Sequence, residues 1–236
     1  MATTYVLVHG AWHGGWCWTR VARLLLDAGH TVLTPTLTGL GERAHLARPE
    51  VDLALHVEDV VAVLENEEVR QAVLVGHSYG GMVIGGAAAK ASGRLAHLVY
   101  LDAFVPEAGK SVLDYAGAER AQTMRETART QGDGWRLPPF PPERFGVTSQ
   151  RDTEWLKRRL VPQPLRTLEQ PLAAVGGEKL KRTYVYCSSP AMGPFDQFAK
   201  QLRDDRKWTY HELKTGHDAM VTAPGEVAKI LLALAR

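Results

Sequence analysis

The chain has 236 residues, 45% of them hydrophobic, which suits one well-buried domain and is short for two. Its formal net charge is +2, with 23% charged residues and no basic block or aromatic-interleaved stripe, so nucleic acid is not an expected partner. No stretch approaches the roughly twenty apolar residues of a membrane span, and Met1-Ala2-Thr3-Thr4 leads into a strand rather than a signal peptide, so a soluble, cytoplasmic protein is expected.

Tyr5-Val6-Leu7-Val8 reads as a buried strand that runs into a glycine-rich turn, His9-Gly10-Ala11-Trp12-His13-Gly14-Gly15-Trp16. Such a turn leaves main-chain N–H groups unpaired and pointing outward, as stabilisation of an oxyanion requires. It is not a phosphate loop: there is no G-x-G-x-x-G and no G-K-[ST], and Trp12, Trp16 and Trp18 crowd it. A helix is expected from about Gly15 to Ala28, a strand over Thr31 to Leu37, a turn over Thr38 to Arg43, and a helix from Leu53 to Glu65 that carries His56.

Ala72-Val73-Leu74-Val75 then precedes Gly76-His77-Ser78-Tyr79-Gly80, and a small-residue helical stretch follows from Met82 to Ala89. Strand, sharp turn and helix form a nucleophile elbow, whose glycines let the backbone approach both neighbours while Ser78 is lifted clear. Ser78 is the expected nucleophile, and the N–H groups of Ala11 and Tyr79 are the expected oxyanion donors. The next strand, Leu98 to Leu101, ends at Asp102.

From Val105 to about Gly177 the pattern degrades. Pro106, Pro138, Pro139, Pro141, Pro142, Pro162, Pro164 and Pro171 interrupt short amphipathic pieces that cannot join a central sheet. Trp135, Phe140, Phe145 and Trp155 need burial, which excludes a disordered linker and points to an inserted cap. The cluster Lys157, Arg158 and Arg159 within it reads as a solvated helix face. Lys181 to Cys187 and Trp208 to Leu213 restore the sheet, and Glu226 to Ala235 closes it with a helix. The expected architecture is α/β, mostly parallel and covered on both faces, with core residues 1–104 and 178–236 and a cap over 105–177.

Of nine histidines, position removes all but one as the general base. His9 and His13 belong to the glycine-rich turn, His77 to the elbow, His56 to a helix, His45 to a polar loop, and His30, His97 and His211 enter or lie within strands. His217 follows a late strand through Lys214-Thr215-Gly216 and precedes the last helix, in a strand-end loop where a scaffold presents catalytic side chains. Cys17 and Cys187 have no metal-ligand spacing and read as free, buried thiols of a reducing compartment; there is no H-E-x-x-H, and no cofactor or metal is implied.

His9 to Trp16, Gly76 to Met82 and Gly216-His217-Asp218-Ala219-Met220 resemble the plant methylesterase and hydroxynitrile lyase group of α/β-hydrolases, and more closely its bacterial esterase relatives. The resemblance spans nearly the whole chain and implies that fold, with the cap between strands numbered six and seven in the family. It also implies a small-molecule ester as substrate. Lyases of the group carry threonine after the first histidine and lysine after the catalytic one; Gly10 and Asp218 stand there, which removes a hydroxyl for a cyanohydrin oxygen and a cation for departing cyanide. Members also place an aspartate just after strand seven, where this chain reads Ser188-Ser189-Pro190-Ala191-Met192-Gly193. Asp102 is the first replacement, since a carboxylate ending an apolar strand is otherwise hard to place. Asp196 is the second, and the absence of a strong acid is the third.

The resulting expectation is a serine hydrolase acting through an acyl-enzyme: His217 deprotonates Ser78, Ala11 and Tyr79 hold the oxyanion, and Asp102 orients the imidazole. Trp12, Phe104, Trp135 and Met220 are the expected pocket wall. The alternatives are a cyanohydrin-cleaving lyase and a ligand-binding homologue that has lost the rate.

Overall fold

The structure is a computed structural model that describes residues 2–235. Eight strands occur among the described residues: β1 (Thr4–Val8), β2 (Thr31–Leu33), β3 (Ala72–His77), β4 (Leu95–Leu101), β5 (Arg136–Leu137), β6 (Gln163–Pro164), β7 (Lys181–Cys187) and β8 (Thr209–Leu213). Six build the main sheet in the order β2-β1-β3-β4-β7-β8, and every neighbouring pair is parallel. Every residue of β3 is buried, and successive side chains point to opposite faces. Both faces of the central sheet are therefore covered, which is why these strands are continuous apolar runs rather than alternating ones.

Parallel strands need long crossovers, and helices supply them. In chain order the helices are α1 (Thr19–Asp27), α2 (Leu53–Asn66), α3 (Gly80–Ala91), α4 (Val112–Ala116), α5 (Ala118–Gln131), α6 (Gln150–Lys157), α7 (Arg166–Glu169), α8 (Asp196–Leu202), α9 (Ala219–Thr222) and α10 (Pro224–Leu232), the last two following the final strand. Asp52 starts α2 by accepting from the N–H of Leu55 at 3.0 Å. Leu53, His56, Val57, Val60, Val61 and Leu64 then form its buried stripe at helical spacing. The small residues of α3 are buried along nearly its whole length, so it packs closely on both β3 and α2.

One expectation is corrected here. β2 stops at Leu33 rather than Leu37, because Pro35 has no N–H for the ladder and Thr36 turns to accept from Gly15 N at 2.8 Å. The main sheet has six strands, and the long insertion falls between its fourth and fifth, β4 and β7, the latter being the strand that the family numbers seven. That segment adds no strand to the main sheet; it holds α4 to α7 and the antiparallel pair β5-β6.

Candidate active site

β1 lies between β2 and β3, so the chains leaving β1 and β3 diverge at the carboxyl ends of the strands and open a crevice. Ser78 directly follows β3 with φ 55°, Asp102 follows β4 with φ 41°, and Trp12 lies in the turn after β1 with φ 66°. Such left-handed backbone costs about 1–3 kcal/mol per non-glycine residue and persists only where its surroundings impose it. At the elbow the surroundings are close: a Cβ on Gly76 would lie 2.6 Å from Gly80 O, and one on Gly80 would lie 2.8 Å from His9 O. Ser78 O accepts from Gly81 N at 3.1 Å and Phe104 N at 3.2 Å, which fixes the turn.

The imidazole of His217 is buried, and its Nδ1 lies 2.6 Å from Asp102 Oδ2. Asp102 Oδ1 accepts from the N–H of Cys187 at 3.1 Å, so both carboxylate oxygens are bonded. Burial raises the pKa of Asp102, against the opposing pull of its hydrogen bond and charge interaction with His217. Phe195 stacks on the His217 ring with centroids 4.8 Å apart, and His77 Nε2 donates to His217 O at 3.0 Å. Asp196 stands elsewhere and accepts from the Tyr186 hydroxyl at 2.6 Å. Ser78 Oγ has no hydrogen-bond partner among the described residues and faces a cavity.

The glycine-rich turn is held by its own histidines. His9 Nδ1 donates to Gly10 O at 2.8 Å, while Leu37 N donates to His9 Nε2 at 3.1 Å. The Gly10 carbonyl shares its peptide with the Ala11 N–H, so His9 sets the direction of that donor. Among the described residues neither the Ala11 N–H nor the Tyr79 N–H has a protein acceptor. Ala11 and Tyr79 both line the same cavity as Ser78.

That cavity measures about 120 Å³ and is mostly apolar. It is of the order of an engineered cavity that holds one benzene ring. Trp12 and Phe104 line it as expected; Trp135 and Met220 do not. Trp135 lies under the Arg136 guanidinium at 5.0 Å, because its turn folds back on α5. Met220 faces inward from α9, with no exposed surface. Phe140, Met192 and Phe195 take their place, from irregular segments whose proline-broken pattern carries no facing signal. Nitrogen and oxygen atoms of His77, His217 and Asp218 come within 4.8 Å of one another, yet His77 Nε2, 3.9 Å from Asp218 Oδ1, already donates to a carbonyl.

Three buried histidines are neutral. Burial holds the pKa of His9 at about 3, and those of His56 and His77 also lie below the ordinary value. Each takes up a proton on unfolding below pH 6.5 that its folded form resists, so stability is lost as pH falls below about 6.5, for His9 as far as about 3. The His9 proton contributes about 1.4 kcal/mol per pH unit across that window, and those of His56 and His77 act in the same direction. Urea unfolding at pH 7, 6 and 5 checks this, and unchanged stability across that range contradicts it.

With this geometry in hand, the chain matches the model of the alpha/beta hydrolase family over residues 5–230, and it belongs to that family. It is 43% identical to a carbendazim hydrolyzing esterase of Nocardioides sp. (strain SG-4G), over 98% of each chain. It is 27% identical to methylesterase 10 of Arabidopsis thaliana, over 98% of this chain and 91% of that one. Among solved structures, an extracellular alpha/beta-hydrolase from a Paenibacillus species, described as sharing structural and functional homology with tobacco salicylic acid binding protein 2, superposes with a TM-score of 0.86. It is 25% identical, over 99% of each chain. Among the described residues no helix is long and apolar enough to cross a membrane.

Proposed function

We propose that the chain is a serine carboxylesterase that cleaves small esters through an acyl-enzyme. The observation that carries this reading is the contact of Asp102 with His217 Nδ1 beside a strained Ser78 that opens on an aryl-sized cavity. His217 Nε2 takes the proton of Ser78 Oγ as the oxygen attacks the ester carbonyl; the N–H groups of Ala11 and Tyr79 receive the oxyanion, and His217 returns the proton to the leaving alcohol. Water repeats the cycle on the acyl-enzyme. Asp102 holds the Nδ1–H tautomer and balances the imidazolium.

Residues 105–177 act as the cap, between core segments 1–104 and 178–236. Val112, Met124, Phe140 and Leu168 reach the cavity from it. The antiparallel pair β5-β6 also grips the turn after β1, since Trp12 Nε1 donates to Leu137 O and Trp12 N to Gln163 Oε1, each at 3.0 Å. Buried, free Cys17 and Cys187 support a reducing, cytoplasmic setting. A fluorophosphonate probe with a panel of p-nitrophenyl, methyl-aryl, lactone and thioester substrates, carbendazim included, tests the assignment; a folded protein whose Ser78 does not label overturns it and leaves the ligand-binding homologue.

The lyase alternative is disfavoured by space. A Cβ at Gly10 would lie 2.8 Å from Ser78 Cβ and 2.9 Å from His77 Nδ1, so a threonine there displaces the nucleophile. Gly10→Thr therefore lowers ester hydrolysis by about 10²-fold, the scale of a misplacement near 1 Å, without creating mandelonitrile cleavage. Benzaldehyde release above background by the unaltered protein or this variant contradicts that expectation.

A further inference from the structure

We propose that His13 and Asp218 form a charged positioning pair that locks the oxyanion turn to the loop bearing His217. The inference rests on the serine-hydrolase reading and adds two residues which that mechanism does not use.

Both side chains are buried, with 2% and 0% of their surface exposed. His13 Nδ1 lies 2.7 Å from Ala11 O, and His13 Nε2 lies 3.1 Å from Asp218 Oδ2. A carbonyl only accepts, and so does an ionised carboxylate, so a ring facing both carries a proton on each nitrogen. The pair is an imidazolium against a carboxylate. Burial opposes the charge on His13, but the charge and hydrogen bond of Asp218 and the Ala11 carbonyl outweigh it and raise its pKa.

The peptide that His13 holds by its carbonyl is held at its other end by Gln163, which accepts from Trp12 N at 3.0 Å. One peptide beyond the Ala11 N–H, the backbone is thus gripped from both sides. Asp218 carries the grip to the base: it directly follows His217, and its own N–H donates to Phe145 O at 3.0 Å. An Asp218 oxygen also comes within 4.8 Å of a His217 ring nitrogen.

Position alone does not require charge, so the charges supply the discriminating readout. The charged and titratable groups around His217 and the pair are Asp102 on one side, with Asp196 beyond it, and His77, His9, Cys17 and Cys187 on the others. Burial keeps His9 and His77 neutral and both thiols protonated. The imidazolium that forms at His217 during the reaction therefore meets two anions, Asp102 and Asp218, and one cation, His13.

The test measures the pH profile of kcat/KM for p-nitrophenyl acetate in Asp218→Asn, His13→Gln and the double variant. Fluorophosphonate titration counts the competent sites, so that an unfolded fraction is not read as lost rate. Asp218→Asn lowers kcat by about 10- to 100-fold with KM nearly unchanged, since misaligned donors weaken only the transition state. His13→Gln leaves Asp218 without its counter-cation and moves the acid limb to higher pH by about half a unit to one unit, whereas Asp218→Asn removes the anion that keeps the buried His13 charged, so both charges go and the limb stays in place. The double variant, which also removes both charges and keeps polar groups in place, shares the limb of Asp218→Asn while kcat stays low. A limb that stays put in His13→Gln, or that moves as far in Asp218→Asn as in His13→Gln, overturns the proposal. Nitrogen-15 shifts of His13 give a readout independent of activity: both nitrogens protonated at pH 8 support the pair, and a neutral ring overturns it. Failure of Ser78 to label in the unaltered protein counts against the hydrolase reading, and the nitrogen shifts still decide the pair.

Discussion

Replacing Ser78 by alanine lowers esterase activity by at least about three orders of magnitude and leaves the thermal midpoint nearly unchanged. The variant removes a hydroxyl that bonds to no other described residue, so the folded state loses no internal interaction with it. The positive φ of Ser78 is retained, and alanine meets the same backbone strain as serine. His217→Ala behaves alike in rate, and the double variant is scarcely worse than either single one, because nucleophile and base act as a unit. Steady-state rates on p-nitrophenyl acetate with calorimetry check both halves. Retained activity in Ser78→Ala, or near-additive losses in the pair, contradicts the assignment.

The second large effect concerns the carboxylate. Asp102→Asn lowers kcat by about 10²–10⁴-fold while the fold survives. An amide that turns its oxygen to His217 Nδ1 points its NH2 at the N–H of Cys187, which needs an acceptor; turned the other way, it favours the wrong imidazole tautomer and cannot balance the imidazolium. Asp196→Asn is nearly silent, because the amide oxygen still accepts from the Tyr186 hydroxyl. Equal losses in the two variants, measured as kcat with active-site titration, would place the acid elsewhere.

The sheet was legible because buried parallel strands leave continuous apolar runs; Tyr5 to Val8, all buried, falls within β1 and ends where it ends. The meeting of Asp102 and His217 was legible for a related reason: an aspartate that closes such a run needs a partner, and few loops lie within reach of that strand end. Beyond Trp12 and Phe104, the cavity wall was not legible. Phe140, Met192 and Phe195 sit in proline-broken segments, where no period tells which side chain faces inward. Choosing Trp135 and Met220 by residue type failed because a tryptophan can rest beneath a neighbouring guanidinium and a methionine can fill a helix contact. The His13–Asp218 pair joins residues 205 positions apart, and neither belongs to a recognisable spacing.

Asp102, just after β4, bonds to His217, and residues 188–194 after β7 bring no carboxylate to that imidazole. Cys187, the last residue of β7, supplies Asp102 with a backbone N–H, which every residue except proline can provide; the loop that follows contributes Met192, Gly193 and Pro194 to the cavity wall, ahead of Phe195, which also stacks on His217. This part of the cavity wall and the carboxylate bonded to His217 therefore sit on separate stretches of chain. Residues 188–194 form a stretch that natural drift or a randomised library can rewrite for new acyl or alcohol groups while the proton-transfer machinery is inherited intact.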